Sequence, residues 1–127
     1  MKIASTIARY LLGLIFFVFG LNGFLHFIPQ PPPPGVAGQF LGALFVSNFL
    51  IVVFLLEIIP AVLLLINRYV PLALVLLGPV IVNIFLFHAF MAPSGLPLAL
   101  IVVVLWSLVA IGVRPAFAGL LQQKVQA

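Results

Sequence analysis

Residues 49–66 read FLIVVFLLEIIPAVLLLI, an unbroken apolar run holding one ionisable side chain, Glu57, and one proline, Pro60. At about 1.5 Å per residue a helix of this length is about 27 Å long, close to the ~30 Å thickness of bilayer hydrocarbon. A strand crossing lipid in a β-barrel alternates apolar and polar residues, and this run does not. It therefore reads as a transmembrane helix. Working outward, three further runs of the same kind extend from about 3 to 28, 70 to 92 and 96 to 112. The expected architecture is all-α: a four-helix transmembrane bundle forming a single integral membrane domain over residues 1–127.

Composition agrees. The chain has 127 residues, 66% of them hydrophobic and 5% charged, where a soluble domain carries roughly 25% charged residues. A disordered chain, a nucleic-acid module and an ordinary soluble domain are all excluded, and the lipid bilayer is the first partner. Cysteine is absent, which excludes disulfides, thiol redox chemistry, thiolate-bound metals and c-type haem attachment. The net charge of +4 is too scattered to make a polyanion site and reads instead as a topology signal.

The connections are punctuated by proline, glycine and asparagine. The first run stops at Pro29, where Pro29-Gln30-Pro31-Pro32-Pro33-Pro34-Gly35 forms a stiff, extended loop over 29–35, because consecutive prolines lack backbone donors and favour polyproline II. Residues 36–47 are too few to span. Phe40, Leu41, Leu44 and Phe45 fall on one helical face and Gln39, Gly42 and Ala43 lie away from it, so a short interfacial helix is expected between the first and second crossings. Asn67-Arg68-Tyr69 and Pro93-Ser94-Gly95 make the remaining turns, and Leu120 to Ala127 is a polar tail. With four crossings, all five basic residues, Lys2, Arg9, Arg68, Arg114 and Lys124, fall on one side. The positive-inside rule then puts both termini in the cytoplasm and the proline loop outside.

Polar groups inside so apolar a chain are the candidate functional residues, because burying one unpaired is costly. Glu57 lies about 13 Å from either end of its helix by the same rise, so it is expected to be neutral or partnered. Pro60 cannot donate to the carbonyl of Leu56, which leaves a local acceptor beside the carboxyl group. Pro79 frees the carbonyl of Val75 at similar depth, and Asn83 lies one turn outward from Pro79. Glu57 and Asn83 are thus placed to meet at mid-membrane, as a proton relay, a polar ligand contact, or a packing hydrogen bond that fixes helix register. His26 and His88 lie near the outer ends of the first and third crossings. Two opposed imidazoles can hydrogen-bond a quinone carbonyl or, as a second choice, ligate haem or a chlorin. The alternative is hydrogen bonding to headgroups, water or Asn22, one turn below His26. No metal site is expected, since too few ligands share that level. Arg9 is expected to snorkel to the cytoplasmic headgroups, and Gly13, Gly20 and Gly23 mark a close helix–helix contact or a slot for a flat ligand. Trp106 reads as a core or lipid-facing residue. No nucleotide loop, catalytic triad or metalloprotease motif is present.

Arg9 ahead of a glycine-rich first helix (Leu12-Gly13-Leu14 through Phe19-Gly20-Leu21-Asn22-Gly23), Leu56-Glu57-Ile58-Ile59-Pro60-Ala61 in the second and Pro79-Val80-Ile81-Val82-Asn83 with Phe87-His88 in the third resemble the DoxX-like family of small bacterial membrane proteins. The resemblance covers about residues 5 to 112. It implies a four-helix bundle in the bacterial inner membrane, in which Arg9 and Glu57 match recurrent membrane-embedded charges. Relatives of that family are linked to a terminal quinol oxidase, to thiosulfate:quinone oxidoreduction and to oxidative-stress complexes. The lack of cysteine departs from any role needing a thiol, and the proline-rich outer loop is not a general family feature. The function expected on this basis is an accessory subunit associated with quinone-linked electron transfer, bound to other membrane subunits or to itself and not a stand-alone enzyme. The rivals are an independent quinone-interacting redox component and a small transporter or lipid-handling protein. Glu57, Asn83, Asn22, His26 and His88 are the residues expected to carry it, with quinone preferred over haem or chlorin and no role for nucleic acid.

Overall fold

The computed structural model describes residues 2–125; Met1 and the last two residues of the expected polar tail lie outside that range. Five α-helices follow one another: α1 (Lys2–Leu25), α2 (Gly35–Val46), α3 (Phe49–Ile66), α4 (Val70–Phe90) and α5 (Leu96–Gly112). Short 3-10 turns occupy Pro93–Gly95 and Arg114–Leu121. Among the described residues there is no strand. Four of these helical segments are long and apolar enough to cross a membrane, and α2 is the shorter apolar helix between the first and second of them. The protein is a multi-pass membrane bundle.

The bundle closes as a ring. α1 packs against α3 and α5, and α4 packs against the same two helices. α1 and α4 therefore lie on one diagonal, α3 and α5 on the other. Neighbours in the ring are consecutive or first-and-last, so every adjacent pair is antiparallel. One end of the ring, the basic end, carries Lys2, Arg68 and Arg114; the other, the proline end, carries the proline run 29–34 and Pro93. The core is built from Leu12 and Phe16 of α1, Ala61 and Leu64 of α3, Leu74 and Leu77 of α4, and Val102 and Val109 of α5. The surface reverses the pattern of a soluble protein: Leu14, Val52, Ile59, Val75, Val82 and Val104 are exposed, as they must be if lipid is the solvent.

The α1–α3 seam is the tightest, and glycines make it so. A Cβ at Gly13 would press on Leu65 and the Ala61 carbonyl, one at Gly20 would lie 2.7 Å from Ile58, and one at Gly23 would lie 2.3 Å from the Phe54 ring. As α1 advances, its partners on α3 recede, which is the signature of antiparallel packing. Small residues allow this close approach where no hydrophobic effect drives helices together, so that dispersion can do it instead. The slot for a flat ligand is thereby filled by α3 side chains.

Helix ends depart from the apolar runs for local reasons. α1 stops at Leu25, three residues short of the expected 28, because His26 turns left-handed (φ 54°). Its N–H donates to the Asn22 carbonyl at 2.9 Å. α3 ends in a Schellman motif: Asn67 is left-handed, Arg68 N–H donates to Leu63 and Asn67 N–H to Leu64, with asparagine in the place glycine often takes. On α2 the face turned inward is Ala37, Leu41 and Leu44, while Phe45 is exposed. Phe40 sits at the edge, its ring 5.7 Å from that of Phe87. The apolar face expected for this helix is thus split, with Leu41 and Leu44 toward the bundle and Phe40 and Phe45 at its edge and outside. After α5, Phe117 folds back onto the core, whereas Leu120 and Leu121 are exposed.

Replacing Gly20 by leucine should lower stability by about 1–3 kcal/mol, the range for overpacking a filled site. Gly42→Leu, where nothing lies within 4 Å of an added Cβ, should leave it unchanged. Thermal unfolding of both variants in the same detergent checks the contrast; equal melting points would remove the glycine seam as the basis of the α1–α3 contact.

Candidate functional site

Glu57 points from α3 into the bundle with only 7% of its surface exposed. It belongs to the α3 face formed with Pro60, Ala61 and Leu64, and its Cβ lies 3.3 Å from where a Gly20 Cβ would be. Glycine at position 20 thus lets α1 pass close to α3 at Glu57 and Ile58. Among the described residues, none of the side-chain hydrogen bonds involves Glu57.

Arg9, the other buried charge, does not pair with it. The guanidinium donates to the Leu64 carbonyl, about two turns, or ~10 Å, along α3 from Glu57 at the usual rise. It also lies 4.3 Å from the centroid of the Tyr10 ring. Leu64 is in the last turn of α3, where the helix dipole favours a cation, and its carbonyl takes the guanidinium in addition to Asn67 N–H. Arg9 is 9% exposed. This arginine of α1 thus caps the C-terminal end of α3, a backbone contact that the snorkelling expectation does not include.

Asn83 lies on the outside of the bundle. The buried face of α4 runs through Val70, Ala73, Leu74, Leu77, Val80 and Ile81, and Asn83 falls off that stripe. Its amide donates to the Pro79 carbonyl at 2.9 Å. It makes no hydrogen bond to Glu57, so the expected mid-membrane pair is not formed within the chain. Asn22 is buried, at 4% exposure, and both ends of its amide are taken: Nδ2 donates to the Ile28 carbonyl at 3.2 Å, and Oδ1 accepts from Ile28 N–H at 2.6 Å. This pair of bonds to the backbone clamps the chain as it leaves α1.

The two histidines occupy the proline end of diagonal helices. His26 is exposed. His88 is half-buried, with Nδ1 3.1 Å from the Ala92 carbonyl and its ring 5.1 Å from that of Phe87. It fills the space over Gly95, where a Cβ would lie 2.2 Å from the imidazole. The His88 imidazole serves its own helix end, and no hydrogen bond or ring contact joins it to His26. Among the described residues no group of three or more metal-ligating side chains gathers. An apolar groove of about 280 Å³ opens at this end, with Phe24, Phe45, Phe54 and Asn48 in its walls.

Trp106 is a polar contact that hydropathy alone does not reveal. Its indole N–H donates to the Leu74 carbonyl at 3.0 Å. The carbonyl that Pro79 leaves without a helical donor is that of Val75, so the indole adds an interhelical bond to a carbonyl that the proline does not free. The signal lies in the residue type: an indole N–H inside a bundle needs an acceptor, and a backbone carbonyl on the neighbouring helix supplies it.

Comparison with family models, curated proteins and solved structures gives no match for this chain.

Replacing Arg9 by methionine keeps the apolar stem and removes the donor to Leu64. The expected loss is about 1–2 kcal/mol, the scale of an interhelical hydrogen bond in lipid, and Asn22→Leu should cost a similar amount by freeing Ile28. Asn83→Leu should cost less than either, since its bond is within one helix and exposed. Chemical or thermal unfolding of the three variants in one detergent tests the ranking, and a largest loss at Asn83 would reverse it.

Proposed function

We propose that the chain is a DoxX-like accessory subunit of a complex in the bacterial inner membrane, working in quinone-linked electron transfer, with the basic end and both termini in the cytoplasm. The family and the quinone context rest on the resemblance of the Arg9, Leu56–Ala61 and Pro79–His88 segments. The orientation rests on the basic residues. The accessory role rests on geometry. Within the four crossing helices most polar side chains, Thr6, Arg9, Asn22, Asn83, His88, Trp106 and Ser107, are hydrogen-bonded to the chain's own backbone, which leaves little machinery for a stand-alone reaction.

The observation that carries the reading is Asn83. It is exposed on α4, about 10 Å from the proline end of that helix at 1.5 Å per residue, and so within the hydrocarbon. Its Nδ2 uses one hydrogen for Pro79, while Oδ1 and the second hydrogen have no partner among the described residues. A polar amide turned toward lipid gains by meeting another helix, and interhelical amide contacts of this kind hold membrane subunits together. Leu86 and Val82 flank it and would complete the contact. At the proline end His26 is the group best placed to donate to a quinone carbonyl; it follows Phe24, which lines the apolar groove.

Membranes from a strain lacking the chain should oxidise quinol more slowly than wild-type membranes. Wild-type protein should restore the rate and Asn83→Leu should restore it poorly, although the variant accumulates normally. In mild detergent the wild-type protein should run as part of a larger particle and the variant as a free subunit. A normal quinol oxidation rate without the chain would end the electron-transfer reading; a free wild-type subunit would end the accessory one.

A further inference from the structure

The basic end of the ring holds a recess of about 390 Å³, bounded by the start of α1, the turn into α4 and the end of α5. That is within the ~300–1,000 Å³ range of small-molecule sites. Lys2, Arg9 and Arg114 line it, together with Ser5, Thr6 and Asn67, and its floor is formed by Val70, Val109 and Val113. Three cations therefore share one concavity. Among the described residues no acidic side chain lines it, and the chain's one acid, Glu57, lies about two helical turns below Arg9's acceptor.

Like charges collected beside low-dielectric walls repel, and the arrangement is relieved by an anion. The two arginines are held for such a role. Arg9 is fixed by the Leu64 carbonyl at the end of α3 and Arg114 by the Ile111 carbonyl, 2.8 Å away, at the end of α5. Each bond uses one of five guanidinium N–H donors, so both forks keep donors for a ligand while their orientation is already set. The hydroxyl of Thr6 is spent on the Lys2 carbonyl. Ser5 is placed at the α1–α5 contact, 2.0 Å from where a Gly112 Cβ would stand, and with Asn67 it supplies neutral donors. Tetrahedral phosphoryl oxygens suit this mixture of guanidinium, ammonium and hydroxyl groups.

We propose that this recess binds a phosphate-bearing anion, the headgroup of an anionic phospholipid. Cations at the rim and valines beneath them match a molecule whose phosphate is followed by an apolar chain, and the recess opens where the bundle meets the headgroup layer. Each Lys or Arg near an anionic surface contributes on the order of fivefold to binding.

The test uses the full chain purified in a neutral detergent and titrated separately with phosphatidylglycerol, phosphatidylcholine and inorganic phosphate. Native mass spectrometry counts what is retained, and thermal melting follows saturation. Phosphatidylglycerol should be retained at one molecule per chain and should raise the melting temperature saturably, with phosphatidylcholine several-fold weaker. Arg114→Gln should weaken phosphatidylglycerol retention about fivefold, and Lys2→Gln should do likewise. Lys124→Gln, outside the recess, should not. Because Arg9 also caps α3, its replacement is not needed; the Arg114 and Lys2 variants carry the result. Equal retention of the two lipids, or equal losses in the Lys124 and Arg114 variants, would overturn the site. Protection by inorganic phosphate as strong as that by phosphatidylglycerol would overturn the lipid assignment and give the recess to a soluble phosphate.

Discussion

A backbone in hydrocarbon has no water to turn to, and that requirement organises this molecule. Helices satisfy their own interiors, but each end leaves groups unbonded and each internal proline adds more. The chain answers with side chains. Arg9 bonds the end of α3, Arg114 the end of α5, and Asn22 both polar groups of Ile28. Trp106 of α5 bonds the Leu74 carbonyl of α4, and Asn83 bonds the carbonyl of Pro79. Ser107 takes the Val103 carbonyl within α5 at 2.8 Å. These polar residues thus hold the helices in shape and register before any ligand is considered.

This economy explains why the fold was legible and the site much less so. Apolar runs of about 20 residues have one stable form in lipid, so helix number and type follow from hydropathy alone. The short turns at 67–69 and 93–95 follow from asparagine, proline and glycine. Depth was also legible, because it is a count of residues. Rotation was not. α4 is apolar on every side, so nothing in the sequence distinguishes the stripe through Ala73, Leu77 and Ile81 from the one that bears Asn83. Two polar residues at matching depth on neighbouring helices meet only if both face the seam, and Asn83 does not. The same blindness affected α2, where Phe45 and Leu44 differ in exposure although both are large and apolar.

Where small residues interrupted the apolar background, rotation became readable. Gly13, Gly20 and Gly23 fall along one side of α1, and that side is the one against α3. Removing a side chain lets two backbones approach, and the approach fixes both azimuths together. Gly95 plays the same part for His88 and Gly112 for Ser5. A glycine in a transmembrane run therefore carried more structural information than most of the leucines around it.

The placement of charge follows from the same geometry. Arg9 and Glu57 both lie on seams of the bundle, yet the arginine bonds a carbonyl in the last turn of α3, where the helix dipole favours a cation, and the carboxyl group stays at mid-helix. A salt bridge between them would require the guanidinium to abandon the Leu64 carbonyl and descend about 10 Å into the seam. There, desolvating both ions would cost more than a surface pair returns. The bundle keeps its cations together at one end and its single acid apart from them. That separation leaves the basic recess without an acidic partner among the described residues, which is the condition under which a membrane protein comes to depend on the lipid around it for its counter-charge.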